Sequence, residues 1–211
     1  RYQLFPSISM GWVFSNEDFL AKSNVLNFGK LRASYGEVGN DKLGSFSYYY
    51  QSNYVSSGSY AFGETPGTAV SGIREGRMAN DNITWEKAQK YNAGIDTRWF
   101  DSRLSITADV FKERRIDILT TPAQFILSAG VNGLAPSNIG VVNNKGYELE
   151  VGWQSKEVNN FSYFGKLLYS YAKNEISEMS ESNQPYNYMY RTGQSIGQFF
   201  GYEFDGFFKS Y

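Results

Sequence analysis

The chain of 211 residues contains no cysteine and no histidine. Those two absences remove a disulfide framework, a thiolate zinc site, Cys-His and Ser-His nucleophilic pairs and a His-ligated haem. No apolar run approaches the ~18 residues that a spanning helix needs, which excludes a helical membrane protein. An excess of charge of one sign is lacking too. With 20 Lys and Arg against 21 Asp and Glu, the net charge of −1 gives no general electrostatic reason to bind nucleic acid. The opening Arg-Tyr-Gln-Leu-Phe-Pro carries neither an initiator methionine nor a signal-peptide pattern, and the expectation is an internal piece of a longer protein.

Aromatic residues are plentiful at 18%, with 17 Tyr and 16 Phe, and glycine reaches 21. Rings in such numbers among few charges suggest amphipathic surface as well as core, with glycine marking turns and close approaches. The length suits one large domain or two small ones.

Period-two alternation dominates. In "GYELEVGWQ", Tyr147, Leu149, Val151 and Trp153 take one side of a strand and Glu148, Glu150 and Gln154 the other. "SISMGWVF" sets Ile8, Met10, Trp12 and Phe14 against Ser7, Ser9 and Gly11, and "KLRASYG" sets Leu31, Ala33 and Tyr35 against Lys30, Arg32 and Ser34. "YNAGIDTRWF" opposes Tyr91, Ala93, Ile95 and Trp99 to Asn92, Asp96 and Arg98, and "RLSITADVFK" opposes Leu104, Ile106, Ala108 and Val110 to Arg103, Ser105, Thr107 and Asp109. "FSYFGKLLYSYAKN" turns Tyr163, Leu167, Tyr169 and Tyr171 away from Lys166, Ser170 and Asn174. The expected fold is all-β and antiparallel, with one helical start at "SNEDFLAKSNVL", Ser15 to Leu26.

The apolar faces carry small and aliphatic residues in the middle and rings at the ends: Tyr91 and Trp99, Tyr147 and Trp153, Tyr163 and Tyr171, with Trp12 on the first strand. That is the girdle arrangement of a transmembrane β-barrel, whose rings sit at headgroup level while the strand middles meet hydrocarbon. Tyr91 to Trp99 spans about 26 Å along a strand, or roughly 20 Å of membrane height at a tilt near 40°. Backbone polar groups in lipid must all be paired, so the strands are expected in a closed barrel.

Connections alternate between short and long. "DS" at Asp101 and Ser102 and "SKEVNN" from Ser155 read as tight turns; loops are expected near 37–85, 114–144 and 176–192. Short periplasmic turns and long extracellular loops are the barrel habit. On this reading the ends bearing Trp12, Trp99 and Trp153 are periplasmic, and Glu148, Glu150, Asp96, Arg98 and Lys166 face an aqueous lumen.

Candidate chemistry is thin. Glu148 and Glu150, roughly 6.5 Å apart by strand geometry, match the spacing of paired glycosidase carboxylates, but carboxylates are routine in a polar lumen. Asp96 and Arg98 suggest an ion pair or a cross-strand network. The run Lys112-Glu113-Arg114-Arg115 reads as a solvated strand end or as a contact for lipid-linked phosphates. Asn80-Asp81-Asn82 lacks the spacing of a calcium loop, and no metal or cofactor is expected. Tyr48, Tyr49, Tyr50, Tyr54 and Tyr60, with Tyr186, Tyr188 and Tyr190, lie beside Ser, Asn and Gln, a composition suited to gripping sugars or peptides and equally to packing loops.

The blocks "FPSISMGWVFSNEDFL", "KLRASYGEVGND", "NITWEKAQKYNAGIDTRWFDSRLSITADVFKERRIDIL", "NIGVVNNKGYELEVGW" and "TGQSIGQFFGYEFDGFFKS" resemble successive parts of the C-terminal barrel half in the SusC/RagA family of TonB-linked outer-membrane transporters. The resemblance implies a 22-stranded barrel with an N-terminal plug, a TonB box and a SusD-like lipoprotein lid. This chain would supply seven or eight strands, without the plug or the terminal strands. It also implies TonB-driven import of an oligosaccharide or oligopeptide, not an enzymatic reaction, in contact with outer-membrane lipid. The competing readings are a soluble β-sandwich binding module or adhesin and a passive porin.

Overall fold

The computed structural model describes residues 2–20, 23–42, 48–62, 67, 69–123, 133–158, 160–204 and 206–207. Among the described residues eight strands are observed: β1 (Ser7–Trp12), β2 (Leu26–Asn40), β3 (Tyr54–Ala61), β4 (Ala69–Glu75), β5 (Glu86–Trp99), β6 (Leu104–Thr120), β7 (Ser137–Gln154) and β8 (Phe164–Glu178). Six form one antiparallel sheet in the order β1-β2-β5-β6-β7-β8, while β3 and β4 make a separate hairpin between β2 and β5.

The sheet is a single layer. Among the described residues only Leu26, Tyr49, Ala135, Val141 and Val142 are buried apolar side chains. The chain exposes 16,682 Å², whereas a compact monomer of this mass would expose about 10,000 Å². A sandwich would cover one face of each sheet with the other. Here both faces lie open.

Antiparallel register places paired residues on the same side, so each side can be read in rows. One apolar row runs Trp12, Leu31, Ile95, Ala108, Leu149 and Tyr169; the next runs Met10, Ala33, Ala93, Val110, Tyr147 and Tyr171. The opposite side carries the row Gly11, Arg32, Gly94, Asp109, Glu148 and Ser170. The alternation seen in the sequence is thus one continuous apolar face backed by one polar face.

Four boundaries differ from expectation. The helix expected from Ser15 to Leu26 is a single 3-10 turn, Phe14–Asn16; Ala21 and Lys22 lie outside the described residues. Glu17 accepts the indole N–H of Trp12 at 2.9 Å instead of serving a helix start, and the Ser23 hydroxyl accepts the backbone N–H of Leu26 at 3.1 Å as β2 begins. The loop expected near 114–144 shrinks to the connection between Thr120 and Ser137, because β6 continues through a bulge at Asp117 (φ 58). The loop expected near 37–85 holds the end of β2 and the β3–β4 hairpin, and β8 carries on to Glu178.

Candidate functional site

The polar face is an ion-pair network. The Arg32 guanidinium donates to both carboxylate oxygens of Asp96, at 2.7 and 3.1 Å, and to Asp109 at 2.9 Å. Asp96 therefore pairs across strands and not with Arg98, whose guanidinium lies over the Phe28 ring, 5.7 Å from its centre. Lys166 reaches diagonally to Glu150 at 2.7 Å. Glu148 shares the row of Arg32 and Asp109, is exposed, and enters no ion pair among the described residues. Of the five polar residues singled out from the sequence, Asp96, Glu150 and Lys166 join pairs.

The apolar face carries rings at two levels. Trp99, Leu104 and Trp153 share one row at the end where the short turns lie. At the other end Tyr35 meets Tyr91 at 4.9 Å between ring centres, and Tyr147 meets Tyr171 at 5.6 Å and Tyr169 at 5.9 Å. Tyr163 precedes β8, its backbone N–H held by the Ser155 hydroxyl at 2.9 Å. Tyr35 joins the girdle through its partner across the sheet, Tyr91, whereas Tyr169 pairs with Leu149, one row inward of Tyr147 and Tyr171. Ala33, Ala93 and Val110, in the row of Tyr147 and Tyr171, and Ala108, one row inward, floor a shallow depression of about 690 Å³ walled by Met10 and Trp12.

The loop tyrosines divide. Tyr49 is buried beneath the Arg77 guanidinium, 4.5 Å from its ring centre. The Tyr190 hydroxyl donates to Asn183 and accepts the backbone N–H of Gln184, both at 3.0 Å. These two rings hold their loops together. Tyr48 and Tyr50 meet edge-on at 6.0 Å, and Tyr186 stacks on Tyr188 at 5.4 Å with 7° between planes; all four are exposed. Tyr54 and Tyr60 both lie on β3, yet the bulge at Gly58 (φ 57) inserts one residue between them and puts them on opposite sides of the hairpin. Tyr60 meets Phe62 at 5.0 Å beside a groove of about 440 Å³ floored by Ser57, Gly58 and Gly72. A flat exposed ring pair next to small polar residues can stack against a sugar or peptide and supply hydroxyl hydrogen bonds.

The segment between β4 and β5 is clamped to the β6–β7 end. The Asn138 amide donates to the carbonyls of Thr84 at 2.9 Å and Asp117 at 2.7 Å, and its oxygen accepts the Thr84 N–H at 2.9 Å. Asn80, from the Asn-Asp-Asn run, donates to the Pro136 carbonyl at 2.8 Å and accepts the Asn82 N–H at 3.0 Å, so its side chain is committed to loop structure.

The family model described as "TonB dependent receptor-like, beta-barrel" matches residues 1–208. The chain belongs to this family. Among curated relatives, TonB-dependent receptor P3 of Formosa agariphila is 28% identical over 99% of this chain and 21% of its own length. TonB-dependent receptor SusC of Bacteroides thetaiotaomicron is 26% identical over 94% of this chain and 19% of its own. The chain thus spans about a fifth of these relatives. In fold it is similar to the RagAB peptide importer: TM-score 0.69 with 23% identity in the open-open state, covering 83% of this chain and 18% of that one. In the closed-closed state the TM-score is 0.68 with 22% identity, over 90% and 20%. An open six-stranded layer with two usable faces is what a fraction of a TonB-dependent receptor barrel has to be.

Proposed function

We propose that the chain is part of the wall of an outer-membrane, TonB-driven importer that works with a SusD-like lipoprotein and carries an oligosaccharide or oligopeptide. The observation that carries the reading is the pairing of faces on one layer. The face of Leu149, Val151 and Leu167 meets lipid between ring levels formed by Trp99 and Trp153 below and Tyr91, Tyr147 and Tyr171 above. The face of Arg32, Asp96, Asp109, Glu148 and Glu150 lines an aqueous lumen. A carboxylate in the lumen stays hydrated, whereas a charge in mid-membrane on the other face would cost about 2–4 kcal/mol.

The Trp ends point to the periplasm, and the Tyr60–Phe62 and Tyr186–Tyr188 platforms lie outside the cell, where substrate is captured between loops and lid. A TonB-driven rearrangement of a plug domain then opens the path along the polar face. No covalent bond of the substrate is made or broken.

The test is a scan of single cysteines at positions 147 to 153 in the full-length receptor in bilayers, read with a lipid-borne and a water-borne relaxation agent. The expected result is lipid contact at 147, 149, 151 and 153 and water contact at 148, 150 and 152. Uniform water contact would overturn the wall and return the soluble binding module. Uptake of size-graded oligosaccharide and oligopeptide pools, with and without TonB, then separates the two substrate classes and excludes or establishes a passive porin.

A further inference from the structure

The sheet register brings together three lysines that are scattered in sequence. Lys112 on β6 pairs directly with Lys145 on β7, and Lys145 pairs with Lys173 on β8. All three are exposed, and none enters an ion pair among the described residues. They stand on the apolar face, in the row of Tyr35 and Tyr91 and one row outward of Tyr147 and Tyr171.

That arrangement is unfavourable by itself. Neighbouring strands lie about 4.8 Å apart, so three ammonium-bearing positions fall within roughly 10 Å. Like charges directly opposite on adjacent strands destabilise a sheet. The next row outward holds Glu37, Gln89, Arg114, Asn143 and Glu175. It offers little relief: Glu37 accepts from the Tyr35 hydroxyl at 2.7 Å, Arg114 adds a further cation, and Glu175 makes no ion pair among the described residues. Glu113, the acidic neighbour in sequence, points to the other face, where it meets Lys90 at 3.7 Å and Arg115.

We propose that Lys112, Lys145 and Lys173 form a binding site for the phosphate of an outer-leaflet lipid. The proposal rests on the reading of the apolar face as the lipid-facing wall with its tyrosine level outermost. On that reading the lysines stand at headgroup height, where their stems cover apolar wall and their ammonium groups reach outward. Anionic headgroups are the charge-complementary occupant available there, and ammonium-to-phosphate contacts are charge-assisted hydrogen bonds. The depression floored by Ala93, Ala108 and Val110 begins one row inward of Lys112 and gives an acyl chain a place to lie. A lipid bound in this way anchors the wall at β6–β8 and sets its height in the membrane.

The experiment uses the full-length receptor in bilayers, with a single fluorophore-labelled cysteine at Val110. Quenching is compared between spin-labelled phosphatidylglycerol and spin-labelled phosphatidylcholine at equal mole fraction. The expected result is quenching by both lipids, about twofold stronger for phosphatidylglycerol. The excess should vanish in K112Q/K145Q/K173Q, persist in K112R/K145R/K173R and in K156Q at the opposite end of the sheet, and shrink in the unaltered protein as salt rises to about 0.5 M. Equal quenching by the two lipids with the native lysines would overturn the site while leaving the wall intact. Quenching by neither would overturn the wall, and the site with it.

Discussion

Arg32 and Asp109 meet at 2.9 Å although their strands do not touch. Strand β5 lies between β2 and β6, and the residue at the crossing is Gly94, in register with both. A Cβ there would stand 2.8 Å from Arg32 Nη2 and would also collide with Asp109 Oδ1. Gly94→Ala is expected to push the pair apart at a cost of no more than about 1 kcal/mol, because the atoms that must give way are the tips of two side chains on an open face. Gly165→Ala is the control, since a Cβ there meets nothing within 4 Å. Urea unfolding of the full-length receptor from bilayers measures both, and equal effects would discard the crossing as a constraint.

The two faces differ in what they tolerate. Leu149→Arg on the apolar face is expected to cost about 2–4 kcal/mol in the same unfolding measurement. Glu148→Gln, its neighbour on the polar face, removes a charge that has no ion-pair partner among the described residues and should change stability by less than about 0.5 kcal/mol. Similar costs at both positions would mean that both faces meet the same solvent.

Asn138 satisfies two strands of chain at once, and truncation leaves its partners open. Asn138→Ala is expected to cost about 1–3 kcal/mol, the penalty for partly buried groups stripped of hydrogen bonds. Hydrogen exchange at the Thr84 amide, whose acceptor is the Asn138 side chain, should rise sharply, with the β5–β6 ladder unchanged. Unaltered protection at Thr84 would show that the clamp is redundant.

Glu181 ties down the segment beyond β8. Its carboxylate accepts the backbone N–H groups of Arg191 at 2.8 Å and Thr192 at 2.9 Å, together with the Thr192 hydroxyl. Partial burial pushes its pKa up, but these hydrogen bonds and the Arg191 charge outweigh it, and the pKa is held below the usual glutamate value. A lowered folded-state pKa stabilises the loop above the unfolded value of about 4.3 and stops doing so as pH falls through the folded value. A mobility probe at Ser182 should therefore report a firm loop at neutral pH and loosening only below about pH 4.3. Glu181→Gln should abolish that transition.

The parts of the fold that rest on strict alternation were legible in the sequence. Residues 104–110 and 146–154 keep period two without interruption, 91–99 departs from it only at Thr97, and their faces are those observed. The outer halves of β6 and β7 were not, because the bulge at Asp117 breaks the period and Asn138 and Asn143 place polar residues where the pattern calls for apolar ones. Composition picked out the loop tyrosines as a group but could not separate Tyr49 and Tyr190, which pack, from the exposed pairs. The lysine row and the Arg32–Asp109 contact were invisible for a simpler reason. Each depends on register between strands that are far apart in sequence, and register is a property of pairs.

The hairpin inserted between β2 and β5 bears on the order in which the wall assembles. Strands β5 and β6 are joined across the short turn from Trp99 to Leu104, but β2 must find β5 over the whole excursion from Asn40 to Glu86. The longer closure costs about 2 kcal/mol more in chain entropy before any contact forms, although a preformed β3–β4 hairpin shortens the effective path. Local pairings therefore lead, and the β2–β5 seam zips later. Pulse-labelled exchange during refolding should protect β5–β6 amides ahead of β2 amides. In the finished barrel the same seam stands over the Arg32–Asp96 pair, so the slowest contact to form is also one fastened by charge.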